Sequence, residues 1–226
     1  MKFSAILAAA TVFIAAGAQA TETKTVPVGK LFPYLGSYYG LAPADRSQFH
    51  LAYRLQVDGA KADQIRLVMQ DGSNAVPIGL DPTGHLSPLP TVAQLKANAP
   101  LIVTRPDDAK IRISLDAAPN LPMAQTMDAR ILALAVSQAL AGSKTLAGLF
   151  AMAMPTLDRV DFQGVTSGEV TLANGTVKAL PFTAATIDKD GHRQPTQVSF
   201  VPAAWPGAVS VRLDTTPSNA LIDAKP

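Results

Sequence analysis

The sequence predicts a mainly β chain of the α+β class, in which two strand-rich modules flank a central helical segment. Two observations support this fold class. Hydrophobic and polar residues alternate in several stretches before residue 120 and again after residue 156, and this period of two is typical of strands with one buried face. Between them, residues 127–154 are rich in Ala, Leu and Met, a composition that favours a helix. We expect each module to be a β-sandwich or a sheet.

The first module begins with the clearest strand pattern of the chain, FHLAYRLQV at residues 49–57, where apolar residues occupy every second position. Turns follow at Asp58-Gly59 and Asp71-Gly72, because an Asp-Gly pair is a strong hairpin signal. Thr91 and Gln94 form a capping box that predicts a short helix over residues 92–97. Further strands are predicted near residues 65–69, 75–80, 100–104 and 110–115.

The central segment, residues 127–154, is predicted to be one helix that starts after Thr126 as the N-cap and stops at Pro155. We expect a break or bend near Gly142-Ser143, and we expect Leu134 to lie on the buried face. A membrane-spanning helix is disfavoured, because several polar residues would lie near its centre at a cost of several kcal/mol. These residues are Ser137, Gln138, Ser143, Lys144 and Thr145.

Alternation returns after Pro155, and Asn174-Gly175 predicts a two-residue hairpin within residues 170–182. Strands are also predicted near residues 197–201 and 208–214. The two halves share an order of landmarks, a Gly turn, a Pro, a Gly-His pair and a Leu-Asp-x-x-Pro ending. This order leaves open an internal duplication in which Leu115 corresponds to Leu213.

The first 20 residues are predicted to be a signal peptide. A basic Lys2 precedes a short apolar run, and Ala18-Gln19-Ala20 has small residues where signal peptidase reads them, so cleavage after Ala20 is expected. The mature protein is therefore expected to be periplasmic or secreted. The remaining parts are an aromatic-rich segment (21–44), the first β-rich module (45–120), a helical connector (121–155), the second β-rich module (156–217) and a C-terminal tail (218–226).

Composition excludes several classes of function. The formal net charge is only +2 and no long single-sign run occurs, which argues against nucleic-acid binding and against a polybasic membrane patch. The chain has no cysteine, so stability must come from burial instead of disulfides. No catalytic motif, metal-ligand spacing or cofactor loop is recognisable, so we predict no catalytic residue, no metal and no cofactor.

Two Gly-His pairs, Gly84-His85 and Gly191-His192, each follow an acidic turn and contain two of the three histidines. A glycine in such a turn supplies a positive φ, and an Asp at its start bonds its own backbone. We therefore expect both pairs to be hairpin scaffold, with His85 and His192 dispensable. A functional role for either histidine is the alternative.

The segment KLFPYLGSYYGLAP, residues 30–43, places four aromatic side chains among Pro and Gly. Amphipathic rings in a loop suit stacking on a sugar or contact with a protein. The candidate partner-binding residues are therefore Phe32, Tyr34, Tyr38 and Tyr39. The alternative is that these rings cover an open end of the sheet.

The stretch LAPADRSQFHLAYRL, the PLPTVAQLKANAPL and LDAAP segments, and SGEVTLANGTVKALPF together resemble uncharacterised exported proteins of Gram-negative bacteria. The resemblance covers most of the mature chain and implies export, but it implies no activity. The favoured function is a non-enzymatic binding or structural module of the cell envelope, whose partner is an envelope protein or a glycan. The alternatives are a hydrolase acting on an envelope polymer and a carrier of small apolar ligands.

Overall fold

The computed structural model describes residues 20–147, 156–187 and 193–224. The chain is mainly β, with one long helix near its centre, so the predicted fold class is confirmed. The strands are β1 Thr21–Pro27, β2 Phe49–Asp58, β3 Arg66–Asp71, β4 Asn74–Leu80, β5 Leu86–Ser87, β6 Pro100–Pro106, β7 Lys110–Pro119, β8 Thr126–Asp128, β9 Leu157–Gln163, β10 Gly168–Leu172, β11 Val177–Ala179, β12 Phe182–Thr183, β13 Thr186–Ile187, β14 Arg193–Gln194, β15 Gln197–Phe200, β16 Ala208–Leu213 and β17 Asn219–Ala224.

The helices are α1 Val28–Leu31, α2 Leu35–Gly40, α3 Val92–Lys96 and α4 Ala129–Ala147, and short 3₁₀ turns lie at Pro43–Arg46, Ala62–Gln64 and Pro202–Ala204. The predicted capping box at α3 is confirmed, since the Gln94 amide donates to Thr91 Oγ1 and the Thr91 amide donates to Gln94 Oε1. A hairpin at Asn174-Gly175 is also present between β10 and β11, with Gly175 at a φ of 82°. Because β10 ends at Leu172 and β11 begins at Val177, the connection is longer than the predicted two residues.

The strands form three antiparallel sheets and one small hairpin. The strand orders are β1-β6-β3-β4-β5, then β11-β10-β16-β8, then β12-β15-β9-β17-β7-β2, with β13 pairing β14. In the six-stranded sheet, β17 pairs with β7 on one side and with β9 on the other. Strands from both predicted modules therefore belong to one sheet.

The sheet connectivity does not support the internal duplication. In the first half β7 pairs with β2 and β6 pairs with β3, whereas in the second half β16 pairs with β10 and β15 pairs with β9. If the halves were copies, β9, β10, β15 and β16 would correspond to β2, β3, β6 and β7. Strand β16 would then pair with β9 and β15 with β10, but the observed partners are exchanged. Leu115 and Leu213 therefore occupy non-equivalent places, in the six-stranded and the four-stranded sheet respectively.

Helix α4 begins later than predicted and has no break at Gly142-Ser143. Thr126 lies in β8, and Asp128 is the residue that caps the helix, its Oδ1 accepting from the amides of Arg130 at 2.8 Å and Ile131 at 3.4 Å. The helix continues through Gly142 to Ala147. A Cβ on Gly142 would come within 2.9 Å of the Phe49 ring, so this glycine permits close packing on β2. The predicted extension to residue 154 lies outside the described residues.

No helix within the described ranges is long and apolar enough to cross a membrane.

The six-stranded sheet has one apolar and one polar face, because successive side chains of a strand point to opposite sides. The register places Leu51, Ala117, Ile222 and Val160 in one row across four strands. This face also carries Phe49 and packs under α4. The opposite face carries His50, Ala118, Asn219 and Asp161, and it forms the floor of the candidate site.

The buried face of α4 is set by Leu132, Ala135, Val136 and Ala139, whereas Leu134 is 48% exposed. The sequence-based assignment of Leu134 to the buried face is therefore wrong. We predict that Leu132→Asp lowers the free energy of unfolding by about 3–5 kcal/mol, because it places an unpaired charge in the core.

The matched control is Leu134→Asp, which should change stability by about 0.5 kcal/mol or less, since the new carboxylate reaches water. Urea unfolding of both variants checks the assignment. Equal losses in the two variants would contradict this packing of α4.

Candidate functional site

A cleft of about 350 Å³ lies between the polar face of the six-stranded sheet and the turn that joins β4 to β5. We call it the histidine cleft. Its walls combine apolar side chains such as Leu86, Leu89, Leu121 and Met123 with a small polar set. That set is His50, Asp81, Thr83, His85, Ser87 and Asn219. Mostly apolar walls with a few polar groups are typical of small-ligand sites.

The turn that carries His85 is organised by Asp81. Its Oδ1 accepts three hydrogen bonds, from the Thr83 amide at 2.8 Å, the Thr83 hydroxyl at 2.6 Å and the His85 amide at 3.0 Å. Gly84 has a φ of 82°, which favours glycine. The predicted turn chemistry around Gly84-His85 is therefore present. His192 and its turn lie outside the described residues.

The side chain of His85 is buried, which the turn motif alone did not indicate. Its Nδ1 lies 2.7 Å from Thr83 Oγ1, and its Nε2 lies 3.3 Å from Asp116 Oδ2. Arg54 Nε donates to the same Asp116 oxygen at 3.3 Å. Hydrogen bonds thus link a hydroxyl, an imidazole and a carboxylate in series, as in hydrolases that use a hydroxyl nucleophile.

The directions of these hydrogen bonds prevent Thr83 from acting as a nucleophile with His85 as its general base. Burial opposes ionisation of Asp81, but the hydrogen bonds from Thr83 and His85 outweigh it and lower the pKa of Asp81. The ionised carboxylate only accepts, so the single Thr83 hydroxyl proton is directed to Asp81. His85 Nδ1 must then donate to Thr83 Oγ1, and a protonated nitrogen cannot act as a base toward that hydroxyl.

His50 is exposed, lines the cleft and is oriented by Asn120. Asn120 Nδ2 donates to the carbonyls of Ser47 and Phe49, so Asn120 Oδ1 is the acceptor facing His50 Nδ1 at 2.7 Å. Partial loss of hydration has the largest effect and lowers the pKa of His50, while the hydrogen bond to Asn120 partly opposes it and His85 and Asp81 have smaller effects of opposite sign. The neutral ring therefore carries its proton on Nδ1 and offers the Nε2 lone pair.

Asn219 contributes a buried hydrogen-bond donor without a partner. Its side chain is on the cleft wall, and the residue is 8% exposed. Its Oδ1 accepts from the Ala220 amide at 2.9 Å, which fixes the orientation of the carboxamide. Among the described residues, the buried side-chain nitrogens that lack a protein partner are Arg54 Nη2, Trp205 Nε1 and Asn219 Nδ2. Of these three residues, Asn219 lines the histidine cleft.

The four aromatic candidates do not form one exposed surface. Phe32 is buried and makes an edge-on contact with Tyr53, at 5.0 Å between ring centroids. Tyr38 is buried, and its hydroxyl donates to the Phe49 carbonyl at 2.8 Å. Phe32 and Tyr38 are thus core residues and cannot be interface anchors, which corrects the sequence-based proposal for these two.

Tyr39 is partly buried, and its hydroxyl donates to the Pro90 carbonyl at 3.1 Å. Tyr34 is 48% exposed, at a φ of 65°. It borders a separate, mainly apolar cavity of about 240 Å³ between α4 and the sheet. Phe32 and Tyr38 are thus buried, Tyr39 is partly accessible, and Tyr34 is the most exposed of the four rings.

Within the described parts of the chain, no group of three His, Asp or Glu side chains is placed to hold a metal ion.

Comparison of the chain with protein-family models, curated proteins and solved structures finds no match.

A second buried group on the polar face is the Asp161 carboxyl. Burial raises the pKa of Asp161, and nearby Asp223 acts in the same direction. The Ser199 hydroxyl donates to Asp161 Oδ1 at 2.5 Å and partly opposes the shift. The folded protein therefore releases this proton at higher pH than the unfolded chain, and stability is lost as the pH rises above the ordinary pKa of an Asp.

We predict that Asp161→Asn removes this pH dependence, because the carboxamide keeps an acceptor for Ser199 without a titrating charge. The stability of the variant relative to the natural protein should increase from about pH 4 toward neutrality. Chemical unfolding at several pH values measures the difference. A difference that stays constant with pH would show that Asp161 ionises as readily in the fold as in the unfolded chain.

Proposed function

We propose that the protein is an exported, non-enzymatic binding protein of the cell envelope that holds a ligand in the histidine cleft. The observation that carries this proposal is the histidine cleft itself, a concavity of about 350 Å³ whose mainly apolar wall holds a few polar side chains. A cavity of this kind can bury the apolar part of a small molecule while the polar side chains orient it.

The hydrogen bonding around the cleft supports binding over catalysis. Asp81 and Thr83 are committed to the turn, and His85 is committed to Thr83 and Asp116. The polar side chains left on the cleft wall are those of His50, Ser87 and Asn219. They can orient a bound molecule, whereas the Thr83 hydroxyl proton stays directed to Asp81.

Export is proposed from the pattern of residues 1–20. Strand β1 begins at Thr21 and pairs along its whole length with β6, from Thr21 with Pro106 to Pro27 with Pro100. Cleavage after Ala20 would therefore leave every strand that the structure describes intact.

A hydrolase is the second candidate, favoured by the line of Thr83, His85 and Asp116. It requires the Thr83 hydroxyl to turn from Asp81 to His85 when substrate binds. Because this rearrangement breaks a 2.6 Å hydrogen bond to an ionised carboxylate, the binding function is preferred.

The proposed binding function predicts a bound ligand in the histidine cleft. The mature protein purified from the envelope fraction should release a ligand on denaturation, detectable by mass spectrometry at near one equivalent. Asn219→Leu and Asn219→Ala should release at least about fivefold less, because they change a polar residue of the cleft wall. Thr83→Val should retain the ligand, and p-nitrophenyl acetate should be hydrolysed no faster than without protein.

Melting curves establish that each variant is folded. A Thr83→Val protein that accumulates an uncleaved ester or amide, while the natural protein releases its cleavage products, would establish the hydrolase instead. Folded Asn219 variants that retain the full amount of ligand would refute the cleft as the binding site.

The proposed export predicts where the mature protein begins. The protein recovered from the periplasmic fraction should have the intact mass of residues 21–226, because the Ala-x-Ala site precedes Thr21. Replacing Ala18 and Ala20 with Arg should block processing. A cytoplasmic protein that keeps residues 1–20 would contradict this prediction.

A further inference from the structure

We propose that the cavity between α4 and the six-stranded sheet is a second ligand site, which binds an uncharged aliphatic chain of about eight to ten carbons. We call it the α4 cavity. It has a volume of about 240 Å³ and lies on the face of the sheet opposite the histidine cleft. The inference goes beyond the proposed function and does not depend on it.

The floor of the α4 cavity is the apolar face of the sheet. Leu51 on β2, Ala117 on β7 and Ile222 on β17 lie opposite one another in register, so their side chains point to the same side. Phe49 and Leu115 are two residues away from Leu51 and Ala117 in their strands and share that side. All five residues line the cavity, so its floor presents apolar side chains.

The roof of the cavity is one face of α4. Ala139, Ser143 and Leu146 line the cavity, and their spacing of i, i+4 and i+7 places them on one side of the helix. Ala139 and Ser143 are small, as is Ala117 on the floor. The Ser143 hydroxyl donates to the Leu140 carbonyl at 2.9 Å, so its proton is already used within the helix. The cavity therefore lies between small side chains that leave it apolar.

The described residues direct no charged side chain into the α4 cavity. Its acidic wall residues, Asp116 and Asp223, each neighbour a floor residue in the strand, so alternation points both carboxylates to the opposite face of the sheet. Asp116 Oδ2 lies there, 3.3 Å from both His85 Nε2 and Arg54 Nε. The described lining residues include neither Lys nor Arg. A charged group would lose hydration in the cavity without a counter-charge, so the site favours an uncharged ligand.

Two large side chains on the wall of the cavity remain accessible to water. Leu115 is 37% exposed and Tyr34 is 48% exposed, whereas Phe49 and Leu51 are buried. Removing apolar surface from water is favourable. An aliphatic chain in the cavity would cover part of the apolar surface that the fold itself leaves exposed.

The backbone holds Tyr34 in an unusual conformation at this wall. Its φ of 65° is uncommon for a bulky residue, and such strain is often found at ligand sites. The Tyr53 hydroxyl donates to the Pro33 carbonyl at 2.6 Å, and the Tyr38 amide donates to the Tyr34 carbonyl at 2.8 Å. These two hydrogen bonds maintain the conformation that places Tyr34 beside the cavity.

The volume of the cavity sets the length of the chain. An apolar cavity of about 150 Å³ accepts benzene, which corresponds to about 25 Å³ per carbon. At that ratio, the 240 Å³ of the α4 cavity corresponds to about nine carbons. Straight-chain alcohols on either side of this length are therefore suitable probes.

The test titrates n-butanol, n-hexanol, n-octanol and n-dodecanol into the mature protein while the methyl groups of Leu51, Leu115 and Ile222 are followed by NMR. We expect saturable shifts, with an affinity that rises about fourfold per added CH₂ group up to n-octanol and levels off beyond about ten carbons. Octanoate and octylammonium should bind at least about tenfold more weakly than n-octanol, because the cavity supplies no counter-charge.

Two variants test the position of the site. Ala117→Leu fills the cavity from its floor and should weaken n-octanol binding at least about tenfold. Tyr34→Gly removes the ring but adopts a positive φ without strain, so it should remain folded and bind about three- to tenfold more weakly. It keeps the test decisive if Ala117→Leu does not fold, which melting curves establish. Leu134→Ala, on the exposed side of α4, is the matched control and should bind n-octanol like the natural protein.

Asn219→Leu separates this inference from the proposed function. The variant changes the histidine cleft on the other face of the sheet, so n-octanol binding should be retained even where the cleft ligand is lost. The inference would be overturned by unchanged n-octanol binding in the folded cavity variants or by an affinity independent of chain length. Octanoate binding as tight as that of n-octanol, or no saturable shift with any alcohol, would also overturn it.

A free alkyl compound and the acyl chain of a lipid offer the same chemistry to the cavity. Sedimentation with phosphatidylcholine vesicles distinguishes them. Cosedimentation that is lost in Ala117→Leu assigns the chain to a lipid, whereas n-octanol binding without cosedimentation assigns it to a free molecule.

Discussion

The structure depends on the pairing of β17 between β7 and β9. This strand carries Asn219 near its start and Ile222 near its middle, and Ile222 lies opposite Ala117 on one side and Val160 on the other. Without it the six-stranded sheet would separate into a β2-β7 ribbon and a β9-β15-β12 ribbon. The apolar face that α4 covers would then be interrupted, and so would the polar face that forms the cleft. One strand therefore determines both the core and the site.

On the polar face of the six-stranded sheet, hydrogen bonds within the protein fix the positions of several protons. Asp81 fixes the Thr83 hydroxyl, and that hydroxyl fixes the proton on His85 Nδ1. Asn120 likewise fixes the proton on His50 Nδ1. Each step follows from the rule that a carboxylate or carbonyl only accepts. The result is a cleft in which Asp81, Thr83 and His85 are hydrogen-bonded within the protein.

The N-terminal aromatic segment illustrates why a surface cannot be assigned from composition. Phe32 and Tyr38 have the residue types and the Pro and Gly neighbours of a binding loop, yet they pack on Tyr53 and Phe49 at the edge of the core. Their contacts with Tyr53 and Phe49 join residues that are 21 and 11 positions apart in the chain. An amphipathic ring suits a buried site and an interface equally well. Its environment is decided by the strands that it covers.

The sequence by itself determined the features that depend on a few neighbouring residues: the alternation of β2, the capping box of Thr91 and Gln94, and the glycine turns at Gly84 and Gly175. Their geometry is set by local φ, ψ and hydrogen bonds, so the residue types are sufficient. Only the tertiary structure decided that β16 pairs with β10 instead of β9, that Leu132 and not Leu134 faces the core, and that Asn219 lies in a cleft with His50. These facts arise from contacts between residues far apart in the chain. A local pattern specifies that a strand or helix has an apolar side, but the partner of that side is selected by how the whole chain packs.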